Sequence, residues 1–166
     1  MFCLPTTPKA VVAQAERLGA AGRIAYDLGG GVVAKLHGEK DNLNEASIWN
    51  AVKDHPSLAR YFAPIYDCAQ DGEWQLMKRL TNAQEAGRRW GHNDKVADEA
   101  RRAFMEAGWK VYLSDLHSGN WGRDEDGSLK ILDYAYCCLV DPAGNVHGHE
   151  WLLRYIDRGE NGQNEP

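Results

Sequence analysis

Asp115, Asn120 and Asp133 are the residues whose types and spacing offer the clearest chemistry. They fall in two short stretches, Asp115-Leu116-His117-Ser118-Gly119-Asn120 and Ile131-Leu132-Asp133-Tyr134-Ala135. Asp133 is in phase with Leu129 and Ile131, so a strand there carries its carboxylate on the side of its apolar residues, at its C-terminal end. A carboxylate so placed needs a metal or a hydrogen-bond donor. Oxygen donors such as Asn120 and Asp133 suit a hard ion like Mg²⁺, which keeps several waters and takes further ligands from phosphate oxygens. The same residues also fit an Asx-turn loop in which Asp115 and Asn120 bond their own backbone.

A second pair lies upstream. In the helical pattern over 42–52, Glu45 sits on the stripe of Ile48, Trp49 and Val52. It either closes a capping box with Asn42 or faces an inward-pointing cation. Lys35 is such a cation, since it ends the run Val32-Val33-Ala34-Lys35 in phase with Val33. Taken alone, a strand lysine also fits a solvated edge.

The elements that must position these groups follow from periodicity and breakers. Val11, Ala15 and Leu18 predict a helix over 8–18, stopped by Gly19 and Gly22. Two β-prone runs, 23–26 and 32–36, are joined by Asp27-Leu28-Gly29-Gly30-Gly31, whose glycines allow the positive φ of a tight hairpin. The helix over 42–52 ends before His55-Pro56, because the residue before proline avoids the α region. Strands over 62–68 and 74–78 flank the turn Gln70-Asp71-Gly72. An amphipathic helix over 94–107 carries Val96, Ala100, Ala103, Phe104 and Ala107 on one stripe, with Lys95, Asp98, Glu99, Arg101 and Arg102 opposite. Short strands over 110–113, near Trp121 and over 129–132 follow, and the tail 159–166 reads as disordered.

Composition limits the function classes. At 166 residues the chain predicts one domain built as two small lobes, 1–80 and 81–158. Hydrophobic residues at 43%, with six Trp and seven Tyr, supply a real core. Nineteen Lys and Arg against 24 Asp and Glu give a net charge of -5, which argues against gripping a nucleic-acid backbone or an anionic membrane. No apolar run approaches the roughly 20 residues of a membrane span, and residues 1–9 do not read as a signal peptide; the expectation is a cytoplasmic protein. Cys3, Cys68, Cys137 and Cys138 lack metal-site spacing and read as free thiols. His147 and His149, without further spaced ligands, read as a solvated pair and not as a zinc site.

In order and spacing, Lys35, Glu45, the D-x-x-x-x-N loop from Asp115 to Asn120 and Asp133 in Asp-Tyr-Ala resemble the protein-kinase-like superfamily. That superfamily includes protein kinases and the aminoglycoside and choline type phosphotransferases. The wording Asp-Leu-His-x-Gly-Asn resembles the small-molecule phosphotransferases and the short kinase-like proteins of bacterial viruses more than eukaryotic-type protein kinases. The resemblance implies an α+β fold, a minimal two-lobe kinase-like fold with a β-rich N-terminal lobe and a truncated C-terminal lobe. It implies ATP and Mg²⁺ as cofactors, with Lys35 holding the α and β phosphates and pairing with Glu45, and with Asn120 and Asp133 binding the metal. On the same resemblance Asp115 is expected to orient the attacking hydroxyl and take its proton. The resemblance further implies a hinge at Lys78, Arg79 and Leu80 whose backbone would bond adenine, makes Gly19 and Gly22 the vestige of a glycine-rich loop, and has His117 either touch the γ-phosphate or pack the loop.

Two departures from the family qualify these roles. Leu113-Ser114 replaces the usual His-Arg, removing the arginine that reads a phosphorylated activation loop. Few residues follow Asp133, so acceptor recognition is expected to be reduced. The expected activity is phosphoryl transfer to a protein Ser or Thr hydroxyl, with a nucleotide and a protein as partners. The alternatives are a small-molecule phosphotransferase and a kinase-like binding protein that modulates a partner without catalysis.

Overall fold

The computed structural model describes residues 15–19, 23–82 and 91–158. It is an α+β protein of helices and antiparallel sheets, folded as two compact units. One holds the chain up to Leu43 together with Ile65–Arg79; the other holds Asn44–Pro64 and the chain from Leu80. Residues 44–64 thus group with the second unit.

The first unit is a five-stranded sheet of β1 (Glu16–Gly19), β2 (Ile24–Gly29), β3 (Val32–Leu36), β4 (Ile65–Cys68) and β5 (Trp74–Lys78), in the order β1-β2-β3-β5-β4. The expected helix over 8–18 is corrected where it can be seen. Glu16 pairs with Asp27 and Arg17 with Tyr26, so an edge strand's ladder to β2 overrides a weak three-residue helical spacing. The rest of that helix lies outside the described residues, as do Gly22, Cys3 and the tail 159–166. The β2–β3 hairpin forms as expected, with Gly29, Gly30 and Gly31 all at positive φ. Lys35 sits mid-sheet between Ala25 and Gln75 and is buried, so the solvated-edge alternative does not hold.

Helix α1 (Glu39–Val52) begins three residues before its expected start. Asn42 therefore lies inside the helix, and the capping box with Glu45 does not form. Asn42 is fully buried: its Nδ2 donates to the carbonyls of His37 (3.2 Å) and Gly72 (2.7 Å), and its Oδ1 accepts from Arg23 (3.1 Å). Gly72, at φ +76°, lets the β4–β5 turn press on the helix start, since a Cβ there would run into the Glu39 carbonyl.

The second unit carries α2 (Pro56–Ala59), β6 (Thr81–Asn82), α3 (Gly91–Glu106), β7 (Lys110–Leu113), β8 (Trp121–Arg123), β9 (Leu129–Ile131), β10 (Cys137–Val140), β11 (Val146–Gly148) and α4 (Leu153–Asp157). They make two three-stranded sheets, β11-β10-β7 and β6-β8-β9. Its core gathers around Phe62, fully buried and edge-on to Tyr134 (4.9 Å) and Phe104 (6.0 Å). The Tyr134 hydroxyl donates to the Ala63 carbonyl at 2.9 Å, so this large ring keeps its polar tip satisfied. Among the described residues no helix is long and apolar enough to cross a membrane.

Candidate functional site

The loop leaving β7 has no ladder partner, yet its carbonyls are held one after another. Arg101 Nη2 donates to the carbonyl of Leu113 (3.3 Å), the Cys137 thiol approaches that of Ser114 (3.9 Å), and Asn120 Nδ2 donates to that of Asp115 (2.6 Å). Trp121 Nε1 donates to the carbonyl of Leu116 (2.9 Å), and the Asn120 N–H donates to that of His117 (2.9 Å). The Ser114 hydroxyl in turn donates to the Tyr136 carbonyl. Among these anchors Asp115 adopts φ +54°. The left-handed region costs a non-glycine residue about 1 kcal/mol, and it persists where neighbours over-determine it. Its carboxylate is half exposed, with Oδ2 accepting from Asn120 at 3.2 Å. His117 caps the short 3-10 turn at Ser118–Asn120 through Nδ1, which accepts from the Gly119 N–H, and its Nε2 lies 3.7 Å from Asp115 Oδ1.

The Asp133 segment is joined to this loop. Strand β9 ends at Ile131, two residues before Asp133, and the Leu132 N–H donates to the Asn120 carbonyl at 2.7 Å. From α1, Glu45 Oε1 accepts the Tyr134 N–H at 2.9 Å and Asn44 reaches the Ala135 carbonyl at 3.5 Å, so two successive helix residues grip the chain just past Asp133. Glu45 is fully buried, as its place on the apolar stripe requires. The Cys137 thiol reports the local field. Burial is the main cause that pushes its pKa up; the backbone at Ser114 is the next largest influence and opposes it, and the charges of Asp133, Glu45 and Asp115 add smaller upward pushes.

Asn120 spends its amide nitrogen on the carbonyl and the carboxylate of Asp115. Among the described residues no three His, Cys, Asp or Glu side chains lie close enough to hold a metal by themselves. Asn120 and Asp133, the residues expected to hold Mg²⁺, offer oxygen donors of the type that ion takes together with phosphate oxygens and water. The Asx-turn alternative is also partly realised, since Asn120 does bond the backbone of Asp115.

The remaining expected residues are more scattered. Lys35 belongs to the first unit and Glu45 to the second, and their ion pair stays an expectation. Gly19 ends β1. In the hinge, Lys78 ends β5 and Leu80 is buried, while the Arg79 N–H donates to the Gly31 carbonyl (2.8 Å) and its guanidinium pairs with Asp27 (3.0 Å). The Arg79 N–H is thus not the one to bond adenine. His147 and His149 are not a solvated pair: His147 bonds Asp141 at 3.3 Å, and His149 is buried and accepts from Trp151 Nε1 at 2.9 Å. Cys68, Cys137 and Cys138 are free thiols, the last two buried.

Sequence reasoning missed three anchors. Arg101 belongs on the buried side of α3, not the polar stripe; its i+3 neighbour Phe104 and i−1 neighbour Ala100 are the signal that could have shown this. Ser114 and Trp121 carry no motif, because their role is to bond backbone that only the folded loop brings near.

No protein-family model and no curated protein matches the sequence. In structure the chain is similar to WbdD, described as a bifunctional kinase-methyltransferase, at 12% identity and a TM-score of 0.46, over 70% of this chain and 30% of that one. A second WbdD structure gives 14% identity and a TM-score of 0.46 over the same shares. It is also similar to the choline kinase LicA from Streptococcus pneumoniae, at 11% identity and a TM-score of 0.47, over 81% of this chain and 69% of that one. The chain thus spans about a third of the length of the WbdD chains it matches.

Proposed function

We propose that the protein transfers the γ-phosphoryl group of ATP to a hydroxyl group, that of a protein Ser or Thr. The observation that carries this reading is Asn120. Its side chain bonds Asp115 while its carbonyl takes the N–H of Leu132, so one residue couples a candidate base to the segment bearing a candidate metal ligand. Asp115 accepts the proton of the acceptor hydroxyl as that oxygen bonds the γ-phosphorus. The bond from phosphorus to the β,γ-bridging oxygen breaks and ADP leaves. Mg²⁺ held by Asn120 and Asp133 would neutralise charge on the phosphate oxygens. Glu45 holds the backbone at Tyr134, and Lys35 is the proposed ligand of the α and β phosphates.

The half-exposed carboxylate of Asp115 favours an acceptor that brings its own surface. The wording Asp-Leu-His-x-Gly-Asn favours the second reading, a small-molecule acceptor. Incubating the full chain with γ-labelled ATP, Mg²⁺ and a cell extract separates them: labelled protein bands support the first, labelled metabolites the second. No label in either fraction would leave a kinase-like binding protein.

A further inference from the structure

We infer that Arg101 is a positioning residue for Asp115, acting through the backbone of the loop; this rests on the phosphoryl-transfer reading above. Arg101 lies on α3 with its side chain 10% exposed, whereas its ion-pair partner Asp98, one turn earlier, is 47% exposed. The pair therefore runs from inside to outside. Nη1 meets Asp98 at 2.9 Å, Nη2 reaches inward to the Leu113 carbonyl, and Nε has no hydrogen-bond partner among the described residues. A surface ion pair needs no such burial and contributes little. An arginine buried with an unsatisfied N–H costs stability that an apolar residue would not, and Ala97, Ala100 and Phe104 fill the same face of α3 without that cost. What the guanidinium achieves that an apolar residue cannot is the bond to Leu113, the last residue of β7.

The location of that bond gives it a role. Two residues past Leu113, Asp115 turns into the left-handed region, and the turn holds only while its flanks are fixed. Asn120 and Trp121 fix the downstream carbonyls, at Asp115 and Leu116; upstream, Arg101 fixes that of Leu113, beside the Cys137 thiol at the Ser114 carbonyl and the Ser114 hydroxyl at Tyr136. It does so from a helix, a more rigid support than a loop. The charged arginine that the family carries next to the catalytic aspartate is replaced here by Ser114, and Arg101 reaches the loop from a different element, to a different end.

The test uses Arg101→Met and Arg101→Lys in the full chain, each made also in an Asp115→Asn background. Phosphoryl transfer, thermal melting and the amide NMR resonances of Leu113–Leu116 are measured. Arg101→Met is expected to lower kcat by about 10- to 100-fold, because a displacement of about 1 Å at a reacting group costs that much. KM for MgATP should stay within about twofold, and Arg101→Lys, which keeps one donor, should lose less. Melting should not fall, the loop resonances should move, and Arg101→Met should cost nothing further once Asp115 is Asn.

Wild-type kcat with unmoved resonances overturns the inference. So does a lower melting temperature with an equal loss of kcat in both backgrounds, which is a structural role. If Arg101→Met does not fold, Arg101→Lys is judged by the same measures. If the wild type transfers no phosphate to any acceptor, it is the phosphoryl-transfer reading that fails, and the resonances decide Arg101: moved, it positions Asp115; unmoved, it does not.

Discussion

Asp115 holds a backbone conformation that asparagine tolerates almost as well as aspartate, so Asp115→Asn should leave the loop in place while removing the proton acceptor. Phosphoryl transfer should fall by roughly 10² to 10⁴, the usual range for a positioned general base, with MgATP binding by calorimetry unchanged. Unchanged turnover would remove Asp115 from its role. Asp133 is predicted to act on the metal and not on the acceptor. Asp133→Ala should abolish most of the Mg²⁺-dependent part of nucleotide binding, which titrating ATP with and without Mg²⁺ would show directly; equal losses in both titrations would count against it. The sequence singled these residues out by type and spacing, and the fold joins the Asp115 loop to the Asp133 segment through Asn120. Arg101 was not legible. A residue's type assigns an arginine to solvent; the neighbouring Phe104 hinted otherwise, and the Leu113 carbonyl that it meets shows why it is buried.

At the scale of elements, the β10–β11 turn carries its own titration. Asp141 is held down at about 2, first by the Asn145 side chain, then by backbone N–H groups of Asn145 and Ala143 and by His147. A depressed carboxyl contributes stability that is complete above its unfolded value of 3.8 and is lost as pH falls toward 2. The melting difference between the native chain and Asp141→Asn should therefore be present at pH 5 and shrink below about pH 4; a difference that does not change with pH would contradict this. Gly72→Ala should destabilise the first unit by roughly 2 to 3 kcal/mol, read by denaturant titration, because φ +76° and the Glu39 carbonyl both exclude a Cβ. The Gly29–Gly31 hairpin and the amphipathic α3 were readable because each is encoded locally. Strands β1, β10 and β11 were not. Their pairing is a property of partners distant in sequence: Cys137 finds Leu113, and Glu16 finds Asp27.

For the whole molecule, nucleotide and metal should stabilise the fold jointly. A ligand binding only the native state at about 100 times its Kd adds about 2.7 kcal/mol, so MgATP should raise the melting temperature measurably and ATP alone less. Identical melts with and without MgATP would favour the binding-protein reading. The change of pattern after Leu80 is where the sequence suggested a boundary, and the second unit resumes there. The grouping of residues 44–64 with the second unit was not legible, because the division falls inside the continuous helix α1, where no breaker marks it. The adjacent thiols of Cys137 and Cys138, fully enclosed in β10, give the molecule an internal clock. Burial raises both pKa values, that of Cys138 to about 11, so neither is a competent nucleophile while the sheet is closed. A maleimide or a disulfide reagent can label them only at the rate at which β7, β10 and β11 separate. Labelling speed at these two positions therefore measures how often the strands flanking the Asp115 loop come apart, in a chain carrying no added probe.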